Sequence, residues 1–309
     1  MLCAAALLAA QQQRQESSAY TYDLNGHRVE TTQREAVSSP DGTTVTQKMQ
    51  SINGRQVPVE SIEERVLEQD GSRKVVERIV RKYDQDGSPT PPEKARIEEE
   101  TSADGVVTTR SSLYRADLSG NLQLAERTTQ ESRHSGNQTT ADTVVERPGL
   151  DGSLAVAEKK TYTEKTGEAG TQSETLVYRA DSAGGFYAAS REIRESTKAG
   201  NTVRETAVVY QATTPGALQL IRQSDGTLTR RADGSEIRET NVFTPDAPGR
   251  AMGSEPQLRE QQIVERKPGP DGTLVETVSI RRPSLADQNR LGGVEKLSET
   301  VCKGDCGRK

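Results

Sequence analysis

Glycine returns along this chain at intervals that favour strands over helices. Gly105, Gly120, Gly136, Gly152, Gly170, Gly184, Gly200, Gly216 and Gly234 follow one another at roughly 14–18 residues, and the ladder extends toward both ends. Many of these glycines follow Asp or Asn, as in Asn53-Gly54, Asp70-Gly71, Asp104-Gly105 and Asp151-Gly152. Such dipeptides accept the positive φ of tight hairpin turns. The segments between them are rich in Val, Thr, Ile and Tyr, which suit strands. After about 4–6 residues per turn, about 10–12 remain for each strand. Connections this short make neighbouring strands antiparallel.

Every second turn is more alike than its neighbours. Tyr114-Arg-Ala-Asp117, Glu146-Arg-Pro-Gly149, Tyr178-Arg-Ala-Asp181 and Tyr210-Gln-Ala-Thr213 start 32 residues apart, and each is followed six residues after its start by Gly120, Gly152, Gly184 or Gly216. Fixed self-similarity of this kind marks a repeat architecture. The expected fold is all-β: an elongated antiparallel meander of about nineteen strands, built from tandem two-strand hairpins of roughly 32 residues. Helix is the rival reading for Glu60–Glu68 and Val75–Lys82, whose Glu/Arg content would allow an amphipathic helix.

The chain divides into 1–10, a short apolar run ending in alanines that reads as a signal peptide lacking its basic start; 11–243, the β-array; 244–257, a Pro/Gly-rich loop; and 258–309, a C-terminal hairpin section. The run at 1–10 is too short to span a bilayer as a helix, and no later segment offers a transmembrane helix.

Composition narrows the functional classes. Leu, Ile, Val and Phe together make up 55 of the 309 residues, too few for a large dry core. With 41 basic and 46 acidic residues interleaved, the net charge is −5, which argues against nucleic acid as a partner. Apolar residues gather on both sides of the alternate turns, as in Val208-Val209-Tyr210 and Leu218–Ile221, while Arg127–Thr140 is polar throughout. That pattern predicts one apolar edge zone, buried by curling of the sheet or by another chain. An outer-membrane barrel is disfavoured on this reading. It calls for lipid-facing alternation and two aromatic girdles, and the chain has eight Tyr, two Phe and no Trp.

Catalytic chemistry is not indicated. His27 and His134 are the two histidines and both fall near turns. No metalloprotease, nucleophile-elbow or P-loop signature occurs, so no catalytic, cofactor-binding or metal-binding residue is assigned and the chain is read as a non-enzyme without cofactors. Cys302 and Cys306 flank Lys-Gly-Asp, a turn that brings them toward the Cα separation a disulfide requires. An oxidising compartment would preserve that bond.

Tyr22-Asp-Leu-Asn-Gly-His-Arg-Val29 and Tyr114-Arg-Ala-Asp-Leu-Ser-Gly-Asn-Leu122 resemble the YD repeats of Rhs-type secreted proteins, in which Tyr-Asp and then Gly lead into a strand. The resemblance implies a long antiparallel sheet winding into a shell. The repeat architecture, the apolar leader and the lack of catalytic signatures favour an exported structural, adhesive or surface-interaction protein, secreted, periplasmic or on the cell surface. Its partners would be its own copies, envelope proteins or polysaccharide. The alternatives are a carbohydrate- or peptide-binding module and an Rhs-like shell fragment.

Overall fold

The computed structural model describes residues 13–22, 27–149, 151–245, 255–284 and 290–304. The strands are β1 (Gln13–Tyr22), β2 (Arg28–Ser38), β3 (Thr43–Ile52), β4 (Arg55–Gln69), β5 (Arg73–Lys82) and β6 (Glu93–Thr101). They continue with β7 (Val107–Ala116), β8 (Leu122–Ser135), β9 (Gln138–Pro148), β10 (Leu154–Gly167), β11 (Gly170–Ala180) and β12 (Phe186–Ala199). The last six are β13 (Thr202–Thr214), β14 (Ala217–Arg230), β15 (Glu236–Thr244), β16 (Gln257–Pro268), β17 (Leu274–Arg281) and β18 (Glu295–Lys303). Each strand pairs antiparallel with its neighbour in sequence, and β18 also pairs with β1. Ser17 is opposite Arg34 on one side and Cys302 on the other, so the sheet is a closed barrel of 18 strands.

Closure corrects the expected architecture. The chain is not an open, elongated meander, and its hairpins do not stack as independent tandem units. Each hairpin supplies two staves of one ring. The open form would leave two exposed edges of unpaired N–H and C=O groups, which the β1–β18 pairing removes. Segment 258–309 contributes β16, β17 and β18 to the same ring. Glu60–Glu68 and Val75–Lys82 are strand, within β4 and β5, and not helix. The apolar run at 1–10 lies outside the described residues. So does Cys306, while Cys302, in β18, is the one cysteine within them.

Tilt and width follow from the register. Stepping from each residue to its partner around the ring returns to β1 displaced by about 20 residues. With strands about 4.8 Å apart and a rise of about 3.3 Å, this shear tilts the strands by about 37° and gives a barrel roughly 35 Å across between backbones. That is too wide for side chains to fill. Only Val75, Ala189, Val242 and Ile280 are buried apolar residues among those described. The low apolar content of the chain is what a hollow barrel needs.

The turns are built by the expected residues. In β7–β8 the Asp117 amide donates to the Asn121 carbonyl at 2.8 Å, and the amide of Gly120, at φ +83°, donates to the Asp117 carbonyl at 3.0 Å. The Asp117 carboxylate accepts from the Ser119 and Asn121 amides at 2.8 and 2.9 Å. Those bonds hold its pKa below the usual carboxylate range. Asp41, Asp70, Asp104, Asp151 and Asp233 are lowered in the same way by their own turn amides and hydroxyls.

The 32-residue spacing belongs to a row of β-bulges. Ala125, Ala157, Ala189 and Ile221 are skipped by the register of their hairpins. Three of these bulges sit beside the tyrosine of the facing strand, at Leu113/Tyr114, Val177/Tyr178 and Val209/Tyr210. Others recur beside Tyr20 and Phe243. A bulge adds one residue, bends its strand and increases local twist, so the row curves the wall at one level near one rim.

Candidate functional site: the lumen wall

Alternation along the strands sorts every side chain to one of two faces. A cavity of about 530 Å³ is lined by Thr171 and Ser173 of β11, Glu192 and Arg194 of β12, Glu205 and Val209 of β13, Arg222 of β14, Arg238 of β15, and Gln262 and Val264 of β16. Six adjacent strands share one cavity on their concave side, so this face is the lumen. A second cavity of about 350 Å³ is lined by Gln15, Ser17, Arg34, Arg266, Glu276 and Cys302. It lies on the same face, because Arg266 follows Gln262 and Val264 at even spacing on β16.

The lumen wall is polar and carries ion pairs at many levels. Arg194 meets Glu192 at 2.6 Å, Arg179 meets Glu158 at 3.4 Å, Arg147 meets Glu126 at 2.9 Å and Arg266 meets Glu276 at 2.6 Å. Arg238 of β15 reaches Glu205 of β13 at 3.4 Å, across the intervening β14. It can do so because the residue between them is Gly226, opposite both Glu205 and Thr240.

The outer face differs from the lumen in its aromatics. Tyr20, Tyr22, Tyr114, Tyr178, Phe186, Tyr210 and Phe243 all fall on it by register. Most of them sit at the level of the bulges. With Leu122, Leu124, Leu154, Leu176, Val208, Leu218 and Leu220 they form a belt about 15 Å high at one end, judged from strand rise and tilt. Two girdles drawn from scattered aromatics were expected of a barrel; seven of the ten instead share one belt, while Tyr162 and Tyr187 face the lumen. Charged residues interrupt this face and continue below the belt, mostly in pairs: Arg191 Nε donates to Glu174 at 2.6 Å, and Gln172 Nε2 to Glu195 at 2.8 Å.

The two ends of the barrel are unlike. The rim near the belt carries the longer connections, between Lys82 and Glu93, Thr244 and Gln257, and Arg281 and Glu295. At the opposite rim all connections are tight turns, and β1 begins and β18 ends there.

Among the described residues no group of three or more His, Cys, Asp or Glu side chains is placed to hold a metal ion. Among the described residues no helix is long and apolar enough to cross a membrane, which says nothing of a β-barrel. His134 lies in β8 and exchanges a 3.0 Å hydrogen bond with Thr139, and His27 immediately precedes β2. The row of bulges and the girdle were missed by sequence reasoning. Their signal was present as the 32-residue recurrence of Tyr.

No family model and no curated protein sequence matches the chain. Solved structures do match it. The Pseudomonas aeruginosa protein OpdL superimposes with a TM-score of 0.56 at 10% identity, covering 95% of this chain and 98% of that one. A mutant of the Rh. blastica porin gives 0.55 at 8% identity, covering 95% and 99%. Salmonella typhi OmpF, in complex with daunomycin, gives 0.50 at 7%, covering 94% and 96%. At these identities the likeness is one of fold, and the fold is the closed barrel of porins. The Rhs/YD resemblance, which rested on turn residues alone, finds no support. The adhesive array and the shell fragment need an open repeating sheet, and the binding module needs a concave site in the apolar zone; the sheet is closed, and Val208 and Tyr210 of that zone fall on its outer, convex face. The expectation of no transmembrane segment rested on the lack of an apolar helix and on too few aromatics for two girdles, and the closed porin-like barrel removes both grounds.

Proposed function

We propose that this protein is a channel: a water-filled β-barrel that lets small hydrophilic solutes and ions cross an outer membrane. The observation that carries this reading is the β1–β18 closure around a polar, ion-paired lumen. Barrels of 16–18 strands leave an aqueous passage. The likeness in fold to OpdL and to the Rh. blastica porin supports it. On this reading the aromatic belt is the level at which the wall meets hydrocarbon. The rim with longer connections faces outside and the tight turns face the periplasm, following the usual asymmetry of such barrels. The protein then resides in the cell envelope as a wall component and not as a secreted adhesin. Its work is passive conduction and not catalysis.

Single-channel recording tests the proposal. The full chain, refolded in detergent and added to a planar bilayer in potassium chloride, should produce discrete, ohmic current steps. Protein that is folded by circular dichroism and yields no steps would reject the channel.

A further inference from the structure

Cross-strand partners on the lumen face are usually matched in charge: Glu64 with Arg78, Glu158 with Arg179, Arg266 with Glu276. One row breaks the pattern. Arg34 of β2 is directly opposite Lys48 of β3, Lys48 is opposite Glu60 of β4, and Glu60 is opposite Lys82 of β5. This stretch of wall holds three cations and one carboxylate. Like charges placed directly opposite destabilise a sheet, yet here the wall keeps them. Arg222, on β14, lies half the ring away from Lys82. It faces the larger cavity, where Arg194 and Arg238 are already occupied by Glu192 and Glu205. Among the described residues no carboxylate lies within ion-pair distance of Arg34, Lys48, Lys82 or Arg222. Uncompensated positive charge therefore faces the axis from opposite walls, although the chain as a whole is net negative at −5.

We infer that the pore prefers anions, with Arg34, Lys48 and Lys82 on one wall and Arg222 on the other as the residues that set the preference. The inference rests on the channel reading. Charge lining an aqueous path raises the local concentration of the opposite ion, most at low salt where screening is weak, and rings of Arg or Lys select anions in pores. Small inorganic anions and small carboxylates are the solutes this wall would concentrate, because an excess guanidinium offers a planar fork to an oxyanion.

Reversal potentials under a tenfold potassium chloride gradient test it, with the full chain in a neutral-lipid bilayer. Chloride should permeate more readily than potassium, by about twofold or more at low salt, and the preference should shrink at high salt as screening sets in. Lys48→Glu with Lys82→Glu should bring the ratio to unity or invert it. Arg222→Gln should lower it part of the way. Arg110→Gln, on the outer face, changes the charge by one unit without touching the lumen and should leave the ratio unchanged. Current steps with a chloride-to-potassium ratio at or below one would overturn the anion preference and leave the channel standing. The absence of steps from folded protein would overturn both.

Discussion

The Tyr22 hydroxyl donates to the Glu299 carboxylate at 3.1 Å, joining β1 to β18 across 277 residues of chain. Around that bond Arg28 meets Glu299 at 2.8 Å, Lys296 meets it at 2.8 Å, the Arg28 guanidinium lies 3.5 Å from the Tyr20 ring centroid and the Lys296 ammonium 4.6 Å from that of Tyr22. The Glu299 side chain is only 15% exposed, so the carboxylate is shielded from solvent while Arg28 and Lys296 stay partly exposed. It latches the one seam that no hairpin turn holds.

Removing the centre of that latch should be costly. Glu299→Ala leaves Arg28 and Lys296 without their shared carboxylate and should destabilise the barrel by about 1–3 kcal/mol. Tyr22→Phe, which deletes one hydrogen bond, should cost about 1 kcal/mol. Urea unfolding in detergent micelles measures both. A Glu299→Ala midpoint equal to that of the parent would show that the seam holds without its latch.

Gly226 keeps a strand crossing open. A Cβ placed there would come within 2.7 Å of the Glu239 carbonyl oxygen and 2.9 Å of Thr240 Oγ1. Gly226→Leu should push β14 away from β15, break the Arg238–Glu205 pair and destabilise by about 1–3 kcal/mol, the range for forced overpacking. Thermal unfolding and the single-channel conductance should both fall. A conductance unchanged in folded Gly226→Leu would place this crossing away from the conducting path.

Acid should loosen the turns. The folded pKa values of Asp70, Asp117 and Asp151 lie below their unfolded values because turn amides and hydroxyls bond the carboxylate. Their stabilisation is complete above the ordinary value of about 3.9 and is lost as pH falls through the depressed folded values. Stability should thus be flat from neutral pH to about 5 and drop below about 4. Replacing these three Asp by Asn should shrink the drop. Melting curves from about pH 2 to 7 span that window, and an undiminished drop in the triple variant would assign the acid sensitivity elsewhere.

The outer wall can be tested by what it does in lipid. Tyr178→Ser with Tyr210→Ser removes two neighbouring rings of the girdle and should lower retention in liposomes. Glu174→Ala leaves Arg191 unpaired on the same wall, where a lone cation at mid-depth costs about 2–4 kcal/mol. Flotation of reconstituted vesicles reads both changes. Full retention of both variants would show that this face does not meet hydrocarbon.

How much of this could be read from the sequence depends on the range of the interaction. Asp117, Gly120, Asp151 and Gly152 announce their turns through contacts a few residues apart, and those turns fix antiparallel pairing. The pairing of Ser17 with Cys302 has no such local signal, so closure was invisible. Val208-Val209-Tyr210 read as apolar on both faces of an open sheet, whereas in the ring Val208 and Tyr210 face out and Val209 faces the lumen. The outer wall also carries Glu174, Arg191 and Glu195, so the alternation that usually marks a lipid-facing strand is blurred. The lumen cations were hidden for a similar reason. Arg34, Lys48 and Lys82 look like any other charges until the register sets them in one row.

Pairing β18 with β1 also fixes the order of events when the barrel assembles. Every other seam joins strands that are neighbours in sequence and can zip as soon as a hairpin forms. The final seam must wait until all the others exist, and it closes the longest loop the chain contains. Until then β1 stands as an open edge, ready to pair with any free strand, including one from another copy. Dilute refolding should accordingly favour the closed monomer, and crowding of half-assembled chains should favour mispaired aggregates.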